Sequence, residues 1–282
     1  MSRSPCMMGR MAGRGRALVG IVLALTLAGV AQQAIAGCSV QSGPQTAALV
    51  ELYTSEGCNS CPPADRALSG LADKYPGSTV IPMALHVDYW DYIGWRDPFA
   101  QADFGERQRW LAGVGGRRQV YTPQFFAGGV EVGPSAGGLA GVIRRIQSMP
   151  ARARVSLQTR LRAGGFDLDV GVSDAAAKSS ILQVAILESR LMSRVSAGEN
   201  RGEHFVHDRV VRQWLPPVKV VDGRATMNVP VSIKPAWQTD RLAVVAFVQD
   251  PATGEVLQAV QARECLFQAG AIQSGAIQAG AT

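Results

Sequence analysis

The stretch Val50–Asp65, VELYTSEGCNSCPPAD, sets two cysteines three positions apart, behind an apolar run and directly ahead of a helix-forming segment. Ala47–Ser55 (AALVELYTS) is short, rich in β-formers and followed by Gly57, so it reads as a buried strand. Pro62 and Pro63 fall where a first helical turn tolerates proline, and Leu68 and Leu71 share one face, with Tyr75 a turn later. The local order is strand, dithiol, helix.

Outward from this unit, Ser78–Trp90 (STVIPMALHVDYW) reads as a second strand. Asp97–Val114 predicts a helix capped by Asp97 with proline at its first position. Val120–Val132 (VYTPQFFAGGVEV) holds two β-rich runs around Gly128-Gly129, a hairpin signal, and a helix follows with Leu139, Val142, Ile143 and Ile146 on one face. This order argues an α/β domain within residues 37–149. From Pro150 the texture changes to alternating strands with polar turns, predicting a β-rich, sandwich-like second domain over residues 150–267. The repetitive tail, 268–282, carries no aromatic or charged residue and reads as disordered.

Residues 1–36 read as a secretory signal. Arg10, Arg14 and Arg16 precede a 15-residue apolar run, Ala17–Ala31, and a small-x-small site at Ala34-Ile35-Ala36. The run is short for a permanent span, which takes roughly 20 apolar residues. Ile35–Cys38 (IAGC) also resembles a lipobox, which would anchor the chain through Cys38, but Gln32 and Gln33 interrupt the approach to it. The expectation is periplasmic or secreted, with membrane attachment only if Cys38 is lipidated. The whole chain has 28 Lys and Arg against 22 Asp and Glu; removing the four arginines of the signal leaves 24 against 22, a charge of +2 that gives no reason to expect nucleic acid. Four cysteines remain after export. Of the three possible pairings, Cys58–Cys61 with Cys38–Cys265 is favoured, since the second bridge ties the mature N-terminus to the C-terminal end.

The dithiol admits four readings. Zinc would need a second ligand pair, and only His204-x-x-His207, far off in sequence, offers one. Copper(I) needs only two thiolates, with His86, Met83 or the His204/His207 pair to complete the site, but there are no Met-rich or His-rich runs. A structural crosslink closing so short a loop stabilises little. Redox exchange has a physical basis: the positive end of a helix lowers a thiol pKa, so Cys58 becomes the exposed nucleophile and Cys61 the resolving thiol. Thr122-Pro123, entering the hairpin, matches the cis-proline that thioredoxin-like folds set opposite their dithiol.

VELYTSEGCNSCPPAD, HVDYWDYIGWRDPFA and VYTPQFFAGG together resemble the secreted thioredoxin-like proteins grouped as domain-of-unknown-function family 1223, over roughly Ala47–Cys265. The resemblance implies a thioredoxin-like N-terminal domain that keeps its dithiol. Gly57 stands where thioredoxin has tryptophan, and Asn59-Ser60 replace Gly-Pro, so direction and potential are not implied. Glu51 is the nearest acid to thioredoxin's buried carboxylate, but one position out of register, on the other face of a strand.

Tyr89, Trp90, Tyr92 and Trp95 crowd the end of the second strand, where they either fill a seam between domains or form a substrate-binding wall beside the dithiol. Asp88 and Asp91 read as loop caps. His86, on an apolar strand, reads as a core histidine; His204 and His207 fall on opposite faces of a strand and form no dyad. The functional expectation is thiol–disulfide exchange by Cys58 and Cys61, aided by Thr122 and Pro123, on an envelope protein or small thiol, without cofactor or metal. The competing expectation is a redox-inert or copper-holding binding module.

Overall fold

The computed structural model describes residues 37–177 and 179–263. A first strand, β1 (Gly37–Gln41), leads to β2 (Ala48–Thr54), α1 (Pro62–Lys74), β3 (Val80–His86), α2 (Ala102–Val114), the hairpin β4 (Gln124–Ala127) and β5 (Val130–Gly133), and α3 (Leu139–Gln147). Then come β6 (Arg154–Arg162), β7 (Gly165–Ser173), β8 (Ile181–Glu188), β9 (Leu191–Arg194), β10 (His204–His207), β11 (Val210–Trp214), β12 (Val218–Lys219), β13 (Ala225–Ser232), β14 (Leu242–Gln249) and β15 (Val256–Ala262). The result is a mixed α/β fold rich in strands.

Its backbone is one long sheet, ordered β15-β14-β8-β11-β3-β2-β4-β5, with β12 on the side of β8. β2 and β3 are parallel, every residue of both is buried, and they lie in the middle. That is why they read as unbroken apolar runs and not as alternating ones. A second sheet, β1-β6-β7-β13, is antiparallel throughout. β9 and β10 form a separate two-stranded hairpin.

Side-chain clusters show how the layers stack. On one face of the long sheet, α1 and α3 cover the β3-β2-β4 portion, packing Leu68, Leu71, Ile143 and Ile146 on Val50, Leu52 and Phe125. On the β15-β14-β8 portion the second sheet packs Leu157, Phe166, Leu168 and Val170 on Leu182, Val184, Val244 and Val248. α2 lies on the opposite face, with Phe104 and Leu111 among Tyr53, Met83, Phe126, Leu187 and Phe247. Fully burying a side chain of this size is worth about 1.5–3 kcal/mol, so these three seams hold the fold.

The division expected at Met149/Pro150 is not where the architecture divides. The β-rich half does make a sandwich, but one of its sheets is the continuation of the α/β sheet: β11, from the second half, pairs parallel with β3 through Val210 and Ala84. Conversely β1, from the N-terminal end, completes the second sheet by pairing with β6. Residues of both halves cluster as one compact unit. The strand pattern of each segment is local, whereas the edge it seeks is not, and β3 exposes an edge that only β11 fills.

The helix expected from Asp97 begins only at Ala102. Asp97 and Pro98 belong to the preceding loop, because the Asp97 carboxylate is engaged elsewhere. The signal and the tail lie outside the described residues, as does Cys265. Cys38 is buried in β1 and disulfide-bonded. Among the described residues no helix is long and apolar enough to cross a membrane.

Candidate functional site

β2 ends at Thr54, and a turn closed by Cys58 N–H to Ser55 O at 3.1 Å carries the chain to the dithiol. Cys58 and Cys61 are joined as a disulfide. Cys61 is the N-cap of α1, with Pro62 and Pro63 in the first turn. Cys58 lies one turn earlier, so both sulfurs sit at the positive end of the helix.

Cys58 was expected to be exposed; it is 1% exposed and Cys61 is 0%. The cover is the loop joining β9 to β10. Asn200, itself buried, donates its amide to Glu56 O at 2.8 Å and Cys58 O at 3.0 Å, and the Glu199 carboxylate accepts from Asn59 N–H at 3.4 Å. Only Asn59 and Ser60, between the cysteines, face solvent.

Thr122-Pro123 is a cis peptide. It immediately precedes β4, whose Gln124 lies opposite Tyr53 near the end of β2, so proline and dithiol loop share one end of the sheet. Trp90 links them: its indole N–H donates to Thr122 Oγ1 at 2.7 Å, and a Cβ on Gly57 would stand 2.9 Å from Trp90 Cβ. Glycine precedes Cys58 because any side chain there would collide with that tryptophan.

The other aromatic residues divide. Tyr89 donates to Gln108 Oε1 at 3.2 Å, and its hydroxyl pKa is pushed up to about 12 by burial. Trp95 donates to Glu56 Oε2 at 2.8 Å. Tyr92, 80% exposed, lies parallel to Trp90 with ring centroids 6.4 Å apart. Asp91 is a loop cap, as expected, accepting from Asp97 N–H at 3.1 Å.

Behind the dithiol lies a polar cluster that the sequence did not announce. Glu56, buried, accepts from Ser193 Oγ and Trp95 and meets His207 Nε2 at 2.9 Å. His86 Nδ1 meets Asp97 Oδ2 at 2.7 Å, and the same oxygen accepts Glu56 N–H at 2.8 Å. The two imidazoles meet edge to face, centroids 4.8 Å apart, with Phe99 against both. His86 Nε2 is buried without a hydrogen-bond partner among the described residues.

Charge settles accordingly. Burial alone would lower the His86 pKa, but Asp97, with Asp65 and Glu56, outweighs it and the net shift is upward. Burial raises Asp97, yet His86 and two backbone N–H groups hold it below the usual carboxylate range. Asp65 is raised chiefly by burial, with His86, His207 and Thr54 opposing. It lies one turn beyond Cys61, its N–H bonded to Cys61 O at 3.1 Å. Three segments distant in sequence, 54–65, 86–97 and 193–207, therefore build one wired pole around the disulfide.

Glu51 is not in it. It faces α2, where Arg107 pairs with both its oxygens at 2.7 and 2.8 Å and Tyr53 donates at 3.0 Å. His204 is exposed while His207 is buried, as strand alternation required. No group of three or more His, Cys, Asp or Glu among the described residues is arranged to hold a metal ion.

Two solved structures have this architecture. A protein from Agrobacterium tumefaciens, AGR_C_4864, aligns with a TM-score of 0.56 at 23% identity, over 79% of this chain and 96% of its own. HBP35 of Porphyromonas gingivalis aligns with a TM-score of 0.59 at 18% identity, over 86% of this chain and 82% of its own. At these identities the likeness is one of fold. No curated protein matches the sequence. A family model matches residues 49–249, the span from β2 to β14, and the chain belongs to that family, described as protein of unknown function DUF1223.

Proposed function

We propose that this is an exported, thioredoxin-like thiol–disulfide exchange protein acting through Cys58 and Cys61 on envelope proteins or small thiols. The observation that carries the reading is the Cys58–Cys61 disulfide at the N-terminus of α1, at the sheet end that also holds the cis Thr122-Pro123 peptide. Starting from the disulfide, a substrate thiolate attacks Cys58 Sγ, the Cys58–Cys61 bond breaks, and Cys61 leaves as a thiolate stabilised by the helix. A second substrate thiolate then attacks the substrate sulfur of the mixed disulfide and releases Cys58. Two electrons pass to the couple, the substrate departs as a disulfide, and the two protons lost by its thiols end on Cys58 and Cys61. Asp65, one turn past Cys61 and raised in pKa by burial, is suited to carry one of them.

In this reading the Asn200 clasp must open for Cys58 to be attacked. Met192 and Val206, directly opposed on the covering hairpin, are 78% and 60% exposed and give a partner an apolar hold on its outer face. The signal-like residues 1–36 support export. The burial of Cys58 favours a second reading, in which the dithiol is a redox-inert crosslink of a binding module. Insulin reduction with dithiothreitol decides between them. Wild type accelerates it, Cys58→Ser abolishes the acceleration while keeping the fold, and Cys61→Ser traps mixed disulfides; no acceleration and no trapped partner would leave the redox-inert reading.

A further inference from the structure

Away from the dithiol, a second buried group lacks what its chemistry demands. Arg209 occupies the turn between β10 and β11 at a φ of 62° and is 1% exposed. A buried guanidinium is ordinarily matched by a carboxylate, because an unpaired charge out of water is costly. Arg209 has none among the described residues. Nε donates to Pro82 O at 3.2 Å and Nη2 to Gln261 Oε1, both neutral acceptors. Nη1 has no hydrogen bond among the described residues, and Arg209 lines the adjacent cavity.

That cavity has a volume of about 700 Å³ and is lined by Lys74, Tyr75, Ser78, Arg209, Gln261 and Arg263 among others, with Asp73 its one acid. Burial first, and the like charge of Arg263 second, push the Arg209 pKa down to about 9 against a smaller opposing pull from Asp208. The guanidinium is also held in place. Gln261 donates its amide to Gly77 O at 2.8 Å while accepting from Arg209, and a Cβ on Gly77 would displace that amide. A guanidinium held by two neutral acceptors, with Nη1 left over and the exposed cations Lys74 and Arg263 at the same cavity, suits a phosphate or sulfate oxyanion.

We propose that this cavity binds a phosphate- or sulfate-type oxyanion carried on a small organic body, with Nη1 of Arg209 as the buried anchor and Arg263 and Lys74 closing from the rim. The volume falls in the range of small-molecule sites and exceeds what a bare ion needs. This assignment is independent of the exchange reading.

The test is thermal unfolding and calorimetry of the full chain with inorganic phosphate, sulfate and phenyl phosphate, against chloride at equal ionic strength. Vesicles containing phosphatidate, in a flotation assay, separate a lipid headgroup from a soluble ester. Wild type is expected to gain several degrees with phosphate and more with phenyl phosphate; Arg263→Gln weakens binding about five- to tenfold, and Arg209→Gln removes it. If Arg209→Gln fails to fold, the double variant Lys74→Gln/Arg263→Gln, altered only at exposed positions, carries the same test. Flotation that depends on Arg209 and Arg263 would support the site and identify its source as lipid. The proposal is overturned if wild type gains no more from phosphate than from chloride and does not float, or if the rim variants respond as wild type does.

Discussion

Arg107 and Arg209 are both buried guanidiniums, and their surroundings are opposites. Arg107, on α2, has both oxygens of Glu51, an amide oxygen of Gln249 at 3.1 Å, and the faces of Trp110, Trp214 and Phe247 within 5.4 Å. Burial pulls its pKa down, but Glu51 and Tyr53 more than restore it. Arg209 has, among the described residues, only neutral acceptors for its donors and a like-charged neighbour, although both arginines line cavities. One site is complete without a ligand, and the other lacks a carboxylate among the described residues. The dithiol pole lies between these extremes: Glu56 and Asp97 are paired with the two imidazoles, whereas Thr54 Oγ1 and His86 Nε2 are buried without a hydrogen-bond partner among the described residues.

Breaking the closed site should cost most. Glu51→Gln leaves Arg107 as an uncompensated buried cation, and we expect a loss of about 3–5 kcal/mol by urea unfolding. A loss under 1 kcal/mol would mean that aromatic stacking, not the ion pair, holds that guanidinium.

Asp97→Asn comes next, at about 2–3 kcal/mol at pH 6, since it removes charged hydrogen bonds to His86 and to Glu56 N–H. The pH dependence is the sharper check. The raised pKa of His86 means the folded state holds its proton more tightly than the unfolded chain; this stability is full below about pH 6.5 and is lost as pH rises through the folded pKa. The lowered pKa of Asp97 contributes stability above about pH 4 that is lost as pH falls through its folded value. The variant should flatten both slopes. Unfolding series at pH 3.5, 6 and 8.5 measure them.

Asn200→Ala removes two donors from the dithiol loop and should cost about 1–2 kcal/mol. It should also speed reduction of Cys58–Cys61 by dithiothreitol; an unchanged rate would mean that Asn200 does not gate the sulfur. The smallest effect is expected at the open site. Arg209→Gln in anion-free buffer should lie within about 1 kcal/mol of wild type, because no carboxylate among the described residues pairs with the charge removed.

How much of this could be read from the residues follows from range. Gly57, Pro62 and Pro63 placed the end of β2 and the start of α1 by chemistry confined to a few positions, and Gly128-Gly129 marked the β4–β5 hairpin in the same way. Asp97 misled because its neighbour Pro98 imitates a helix start, whereas its carboxylate serves His86 across the loop. His207 looked isolated because Glu56 lies 151 positions away and meets it only when the β9–β10 hairpin folds over the dithiol. Asn200 carried no signal at all, since its partners are two backbone carbonyls. Local alternation told strands apart; it could not tell that β11 inserts beside β3.

That insertion governs how the chain can become a protein. Until Val210–Trp214 is available, β3 has a bare edge, and a fragment ending at Met149 would present the central strands of the sheet to any passing strand. Pairing across some 125 residues must precede the closing of the core, which makes folding slow and all-or-none and ties the fate of each half to the other. Neither half therefore offers a piece that can be cut away and kept, and the chain stays open to stray pairing until residues 210–214 are in place.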